Sequence, residues 1–291
     1  MNQQIIKKLL LSFLLIIFII IFSLAFKGII EIPRNIELLG LRFNLYGLIL
    51  GIAFVTVAEL FQKSLTKEES KLLKPIIPWL VISILIGARA WHVVTDFALY
   101  KDNLIAIFYV WNGGLSIFGA LLGLFVSLYM IFKLRLLANR SLGEDWEIIE
   151  KLVLYIPVGQ FIGRLGNFVN YELFGPPTNL PWGMFVPENY RPIEYLPSKF
   201  FHPAFLYEMM GTGILFLLMQ YLYKKKGIKG DGFFFYLYLT GYGLVRFFVD
   251  FFRMDPDTFW VFSVGQIVSL LMIVIGGSLL ARNMEHGTRN T

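Results

Sequence analysis

Residues 163–175 read GRLGNFVNYELFG, which sets Arg164, Asn167 and Asn170 three residues apart with Glu172 close behind. Residues three apart share a helix face, so one guanidinium and two amides form a polar stripe. A guanidinium binds phosphate oxygens through paired, charge-assisted hydrogen bonds, and asparagine amides can fix ester and glycerol oxygens. The stripe ends an apolar run long enough to cross a bilayer. A charge at that depth costs about 3 kcal/mol even on insertion scales, and such side chains pack no better than leucine, so the cluster reads as a functional site. Arg246, Asp250 and Arg253 follow the helical spacing i, i+4, i+7 within a second apolar run. There Asp250 either joins the site or simply neutralises Arg246. Arg89, in GARAWH, either joins the site or snorkels to the headgroups.

The elements that must carry these groups are membrane spans. Apolar residues make up 57% of the 291-residue chain and charged residues 16%, against roughly 45–50% and about 25% in soluble domains; mean hydropathy is +0.66. Eight apolar segments emerge, at about 9–26, 45–60, 76–95, 115–132, 149–169, 203–223, 232–252 and 262–281. With both termini in the cytoplasm, most of the 26 lysines and arginines face inward, among them Lys63, Lys67, Lys71, Lys74, Lys133, Arg135 and Lys224, Lys225, Lys226. In that orientation Arg89, Arg164 and Arg246 all rise to the outer half of the membrane on separate outward-running segments. Tyr46, the Gly113-Gly114 pair and the stretch from His202 through Tyr207 to Glu208 begin inward-running segments at the same level. The convergence describes a polar site between helices that faces the outer leaflet and suits a phospholipid headgroup. Gly163, Gly166 and Gly175 let backbones approach closely, or serve as helix-packing surfaces.

Further constraints narrow the chemistry. The chain has no cysteine, so a disulfide, a thiolate metal ligand or an enzyme-borne cysteine nucleophile is excluded. A reacting thiol comes with the substrate. The net charge of +6 reflects cytoplasmic lysines facing anionic lipid, not nucleic acid, and no nucleotide motif, metal-ligand cluster, cofactor signature or internal repeat is visible. The external loop at 171–201, rich in proline and aromatics, packs on the headgroups, covers the site or docks a protein substrate. The first segment, within 1–30, reads as a retained extra span; Lys7 and Lys8 ahead of an apolar run also suit a signal peptide, but no small-x-small cleavage site follows it. Residues 31–291 read as one membrane-embedded domain.

The thirteen-residue stretch resembles the signature of the prolipoprotein diacylglyceryl transferases. In the family's order follow segments similar to its pattern: LYGL at 45–48, GAR at 87–89, WNGGLSIFGALLG at 111–123, HPAFLYE at 202–208, YGLVRFFVDFFR at 242–253 and GQIVSLLMI at 265–273. The resemblance implies an all-α, polytopic helical integral membrane protein with seven family-type spans, here with an extra N-terminal span, in a bacterial cytoplasmic (inner) membrane. It implies transfer of a diacylglyceryl group from phosphatidylglycerol to the lipobox cysteine of a prolipoprotein, forming a thioether and releasing glycerol phosphate without a cofactor. By motif, Arg164 and Asn167 match the essential pair, Arg246 the arginine of the penultimate span, and Tyr46 and Tyr242 its important tyrosines; with Asp250 these form the expected catalytic set. Arg89, Asn170, Glu172, Gly175, Gly113, Gly114, His202, Tyr207 and Glu208 are the expected substrate-binding set.

Two departures stand out. Some family members place a histidine, proposed as a base, where this chain has Phe118, which takes no proton. Either the base lies elsewhere, the thiol ionises in a guanidinium field, or the chain is an inactive relative that still binds phosphatidylglycerol. Asp250 stands where the family often has glutamate. The rival from another class is a lipid transporter or scramblase, which needs polar groups at the midplane and inner half as well; those halves read as almost wholly apolar.

Overall fold

The computed structural model describes residues 3–38, 41–110, 113–116, 119–120, 122–127, 129–130, 142–254, 258–259 and 262–289. Long helices dominate: α1 Gln3–Phe26, α2 Leu45–Ser64, the short α3 Lys67–Leu73, α4 Ile76–Thr95, α5 Leu142–Val153, α6 Ile156–Asn170, α7 Ala204–Lys226, α8 Phe233–Asp250 and α9 Val264–Arg289. The described residues of 119–130 are helical as well, and Phe118 lies outside the described residues. Among the described residues, five stretches are long and apolar enough to span a bilayer: α2, α4, Trp146–Asn170, α7 and Val264–Glu285. The expected segments at 9–26 and 232–252 are helical too, in α1 and α8, and α8 carries Arg246 and Asp250 in its last turns. The segment expected at 149–169 is two helices, since Pro157 at the start of α6 has no N–H to continue α5 and its ring crowds the preceding turn.

Packing is sequential around the site, α2 along α6, α6 along α7, α7 along α8 and α8 along α9. Small residues bring α4 against the helix at 119–130: a Cβ on Gly87 would strike the Gly119 carbonyl, and one on Gly123 the Ser83 carbonyl. Phe22, Ala25 and Phe26 of α1 meet Phe168, Phe205, Met184, Val186 and Phe201 in a shared core under the loop that follows α6. Three two-residue to four-residue hairpins complete the fold, β1 Asn35–Leu38 with β2 Leu41–Asn44, β3 Met184–Phe185 with β4 Phe200–Phe201, and β5 Thr258–Phe259 with β6 Phe262–Ser263. Asn44 ends the first hairpin and caps α2 by accepting from Gly47 N at 3.1 Å.

Candidate active site

Three helices deliver charge to one point. Arg164 of α6 donates through Nη2 to the Glu208 carboxylate of α7, and its Nη1 donates to Asn167 Oδ1 at 3.0 Å. Tyr242 of α8 donates its hydroxyl to the same Glu208 oxygen at 3.0 Å, and Arg246 of α8 lies 3.8 Å from the other. Glu208 is 1% exposed. A buried carboxylate shared by two arginines and a phenol fixes all three groups, because removing it would leave uncompensated charge away from water.

The network continues on both flanks. Arg246 pairs with Asp250 at 2.8 Å, Arg253 approaches Asp250 at 3.6 Å, and Asp250 also accepts from Ser263 Oγ. Gly265 permits this crowding, since a Cβ there would lie 2.8 Å from Asp250 Oδ1. On the other side Asn167 and Asn170 both donate to Glu172, at 3.4 and 3.1 Å. The Tyr46 ring lies against the Cα of Gly166, where a Cβ would clash. Gly175 donates its N–H to the His202 carbonyl at 2.7 Å, and a Cβ there would strike the Phe252 carbonyl. His202 Nδ1 is 3.0 Å from the Tyr207 hydroxyl, which accepts from Trp182 Nε1 at 3.1 Å. Residues that lie as far apart in sequence as 46 and 265 therefore share one end of the bundle.

Arg89 has other company. Its Nε donates to Ile107 O at 2.7 Å, Nη1 to Gly113 O and Gly114 O at 2.6 and 2.9 Å, and Nη2 to Ala106 O at 2.6 Å. The three expected residues Arg89, Gly113 and Gly114 do come together, but as a backbone clamp: four donor contacts are spent on carbonyls, which favours holding the 106–114 segment over holding a phosphate. Both glycines take positive φ, 90° and 73°, to turn their carbonyls inward.

Two features escaped the sequence. Gln160, one turn before Arg164, donates to the Tyr238 hydroxyl at 3.0 Å, and the Tyr238 ring stacks on Tyr242 at 5.8 Å and 3°. Arg34 donates to the carbonyl of Asn170. Gln160 sits four residues before Arg164 on the same face, a cue available in principle; Arg34 offers none.

What the arrangement offers is a pair of guanidiniums, tied by one carboxylate, at the end of an apolar bundle. Arg164 Nε is buried without a hydrogen-bond partner, a donor suited to an anionic oxygen. A phosphate carried by a lipid fits that chemistry. The family model for prolipoprotein diacylglyceryl transferases matches residues 33–282. The chain belongs to the prolipoprotein diacylglyceryl transferase family. Among similar proteins, the phosphatidylglycerol–prolipoprotein diacylglyceryl transferase of Thermotoga maritima is 33% identical over 284 residues, 96% of this chain and 95% of that protein. Proteins of the same name from Prochlorococcus marinus and Thermosynechococcus vestitus are 34% and 30% identical, covering 80% and 87% of this chain and 84% and 93% of their own lengths. The residues that the family model matches begin after α1.

Proposed function

We propose that this chain transfers the diacylglyceryl group of phosphatidylglycerol to the lipobox cysteine of a prolipoprotein, the maturation step for which its relatives are named. The observation that carries the reading is the convergence of Arg164 and Arg246, from separate helices, on the single buried carboxylate of Glu208. The substrate thiolate attacks the glyceryl carbon next to the phosphate, the S–C bond forms, the C–O bond breaks, and glycerol phosphate leaves with the bonding pair. Arg164 and Arg246 bind the phosphate and stabilise charge on the leaving group. Asn167, Asn170 and Glu172 hold the lipid's polar oxygens, and Tyr46 and Tyr242 brace the two arginines. Surrounding cations favour the ionised thiol, which answers the loss of a histidine at Phe118. Arg89, Gly113 and Gly114 shape the adjoining segment.

The same reading sets the site toward the outer leaflet of a bacterial cytoplasmic membrane, with both termini inside and eight crossings, α1 retained among them. Support for retention is the burial of Ala25 and Phe26, 2% and 7% exposed, in the core shared with α6 and α7. The test is incubation of purified protein with phosphatidylglycerol and a one-cysteine lipobox peptide, followed by mass spectrometry for the added diacylglyceryl group. Product from the wild type, and a loss of about 10²-fold or more in Arg164→Gln and Arg246→Gln with membrane levels unchanged, is the expected result. Near-normal transfer by either variant overturns the site. No product from the wild type, with a histidine-bearing relative active in parallel and Phe118→His inactive, returns the chain to a lipid-binding role.

A further inference from the structure

Arg34 stands outside the arginine network yet touches both pieces of chain that frame it. Its Nη2 donates to the carbonyl of Asn170, the last residue of α6. Its guanidinium lies 3.9 Å above the Tyr190 ring centre, and Tyr190 stacks on Tyr171 at 5.0 Å and 19°. Its own carbonyl accepts from Leu45 N at 2.8 Å, the first residue of α2 and the neighbour of Tyr46. From behind, the chain leading to Arg34 is anchored by Phe22, Ala25 and Phe26 in the shared core and by Lys27 Nζ donating to Pro181 O at 2.5 Å.

The turn that Arg34 grips needs holding. Tyr171 and Leu173 have φ of 52° and 54°, the two non-glycine residues with positive φ among the described residues. Side chains rarely adopt that conformation unless surrounding structure imposes it. Between them sits Glu172, the carboxylate that accepts from both Asn167 and Asn170. A cation at a helix C-terminus also satisfies carbonyls that have no intrahelical partner and opposes the negative end of the helix dipole. Arg34 supplies both, and its planar face adds the stack on Tyr190, which an ammonium cannot match. The Nε is buried without a hydrogen-bond partner, so the stack and the single donor to Asn170 set its orientation.

We propose that Arg34 is a positioning residue for the Arg164 site: it caps α6, holds the left-handed turn that presents Glu172 to the two asparagines, and fixes the start of the helix that carries Tyr46. The proposal rests on the transferase reading for its kinetic test but not for its structural one. In the full-length protein, reconstituted with phosphatidylglycerol and assayed with a lipobox peptide, Arg34→Ala should lower kcat per folded molecule about ten-fold or more, as misplacement of binding groups does, with KM for phosphatidylglycerol within about two-fold. Arg34→Lys should recover only a small part, and millimolar guanidinium should raise the activity of Arg34→Ala while leaving the wild type unchanged. Unchanged kcat, a loss that tracks folded protein alone, or full recovery by lysine overturns it. If the wild type makes no product, the transferase reading fails, and hydrogen exchange of the Tyr171–Leu173 amides still decides for Arg34: faster exchange confined to that turn in Arg34→Ala supports it, and unchanged exchange overturns it.

Discussion

The two ends of the helix bundle both bury carboxylates, and they use them differently. At the end opposite the arginine network, Glu150 is 0% exposed; its two oxygens accept the N–H groups of Gly230 and Phe234 at 3.0 and 2.9 Å. It thereby caps α8, whose own N-cap is Gly232, with no side chain to offer. Beside it Lys151 bonds both oxygens of Glu69, at 2.6 and 2.7 Å. Both of these carboxylates are spent on structure. At the other end, Glu208 is divided among Arg164, Tyr242 and Arg246, the Arg164 and Arg246 side chains keep 22% and 18% exposure, and Arg164 Nε has no partner. A saturated ion cluster holds helices together, whereas one with spare donors and partial access can take an anion and release it.

That contrast can be broken in order of expected effect. Glu208→Gln should be the most damaging: it leaves two arginines without their shared anion, lowers stability by about 3–5 kcal/mol and abolishes most transfer, read by thermal unfolding and by the peptide assay. Glu150→Ala should cost about 1–2 kcal/mol, the loss of a helix cap, while kcat per folded molecule stays as in the wild type. If kcat falls as far as in the Glu208 variant, the two ends are not functionally distinct. Lys151→Met sharpens the comparison at the Glu150 end. Burial raises the Glu69 carboxyl, but hydrogen bonds from Lys151 and from the backbone and side chain of Thr66 outweigh it and hold the group below the usual range. A depressed carboxylate stabilises the fold above its unfolded pKa of about 4.3 and loses that contribution as pH falls through the folded value. Wild type should therefore lose its advantage over Lys151→Met below about pH 4, a Tm difference of a few degrees at neutral pH. The smallest effect is expected from Gln160→Leu, within about two-fold in kcat, because the Tyr238–Tyr242 stack survives without the amide.

Much of the arginine-bearing end was legible because its chemistry is anomalous in an apolar sequence. Arg164, Asn167, Arg246 and Glu208 stand out where leucine would be free of desolvation cost, and their motifs fix which spans they share. The Glu150 end was opaque for the opposite reason. Glu150 sits in the last turn of α5 and caps a backbone 80 and 84 residues away, a pairing with no local signal. Arg34 reaches 136 residues along the chain, a contact that no local pattern announces. Arg89 was visible but open in meaning, since snorkelling and phosphate binding predict the same residue at the same depth; only the carbonyls of 106–114 distinguish a clamp from either. The segment expected at 76–95 coincides with α4, whereas the one at 149–169 breaks at Pro157, where the break depends on a missing N–H that an apolar average does not register.

The Glu150 cap has a mechanical consequence. Glu150 belongs to the stretch that leads directly into α6, and it grips the first turn of α8, so the helix with Arg164 and the helix with Arg246 are joined here as well as through Gln160 with Tyr238 and through Glu208. The pair is held like a ladder with rungs at its foot, middle and top, so the gap between the two guanidiniums is set by the helices themselves.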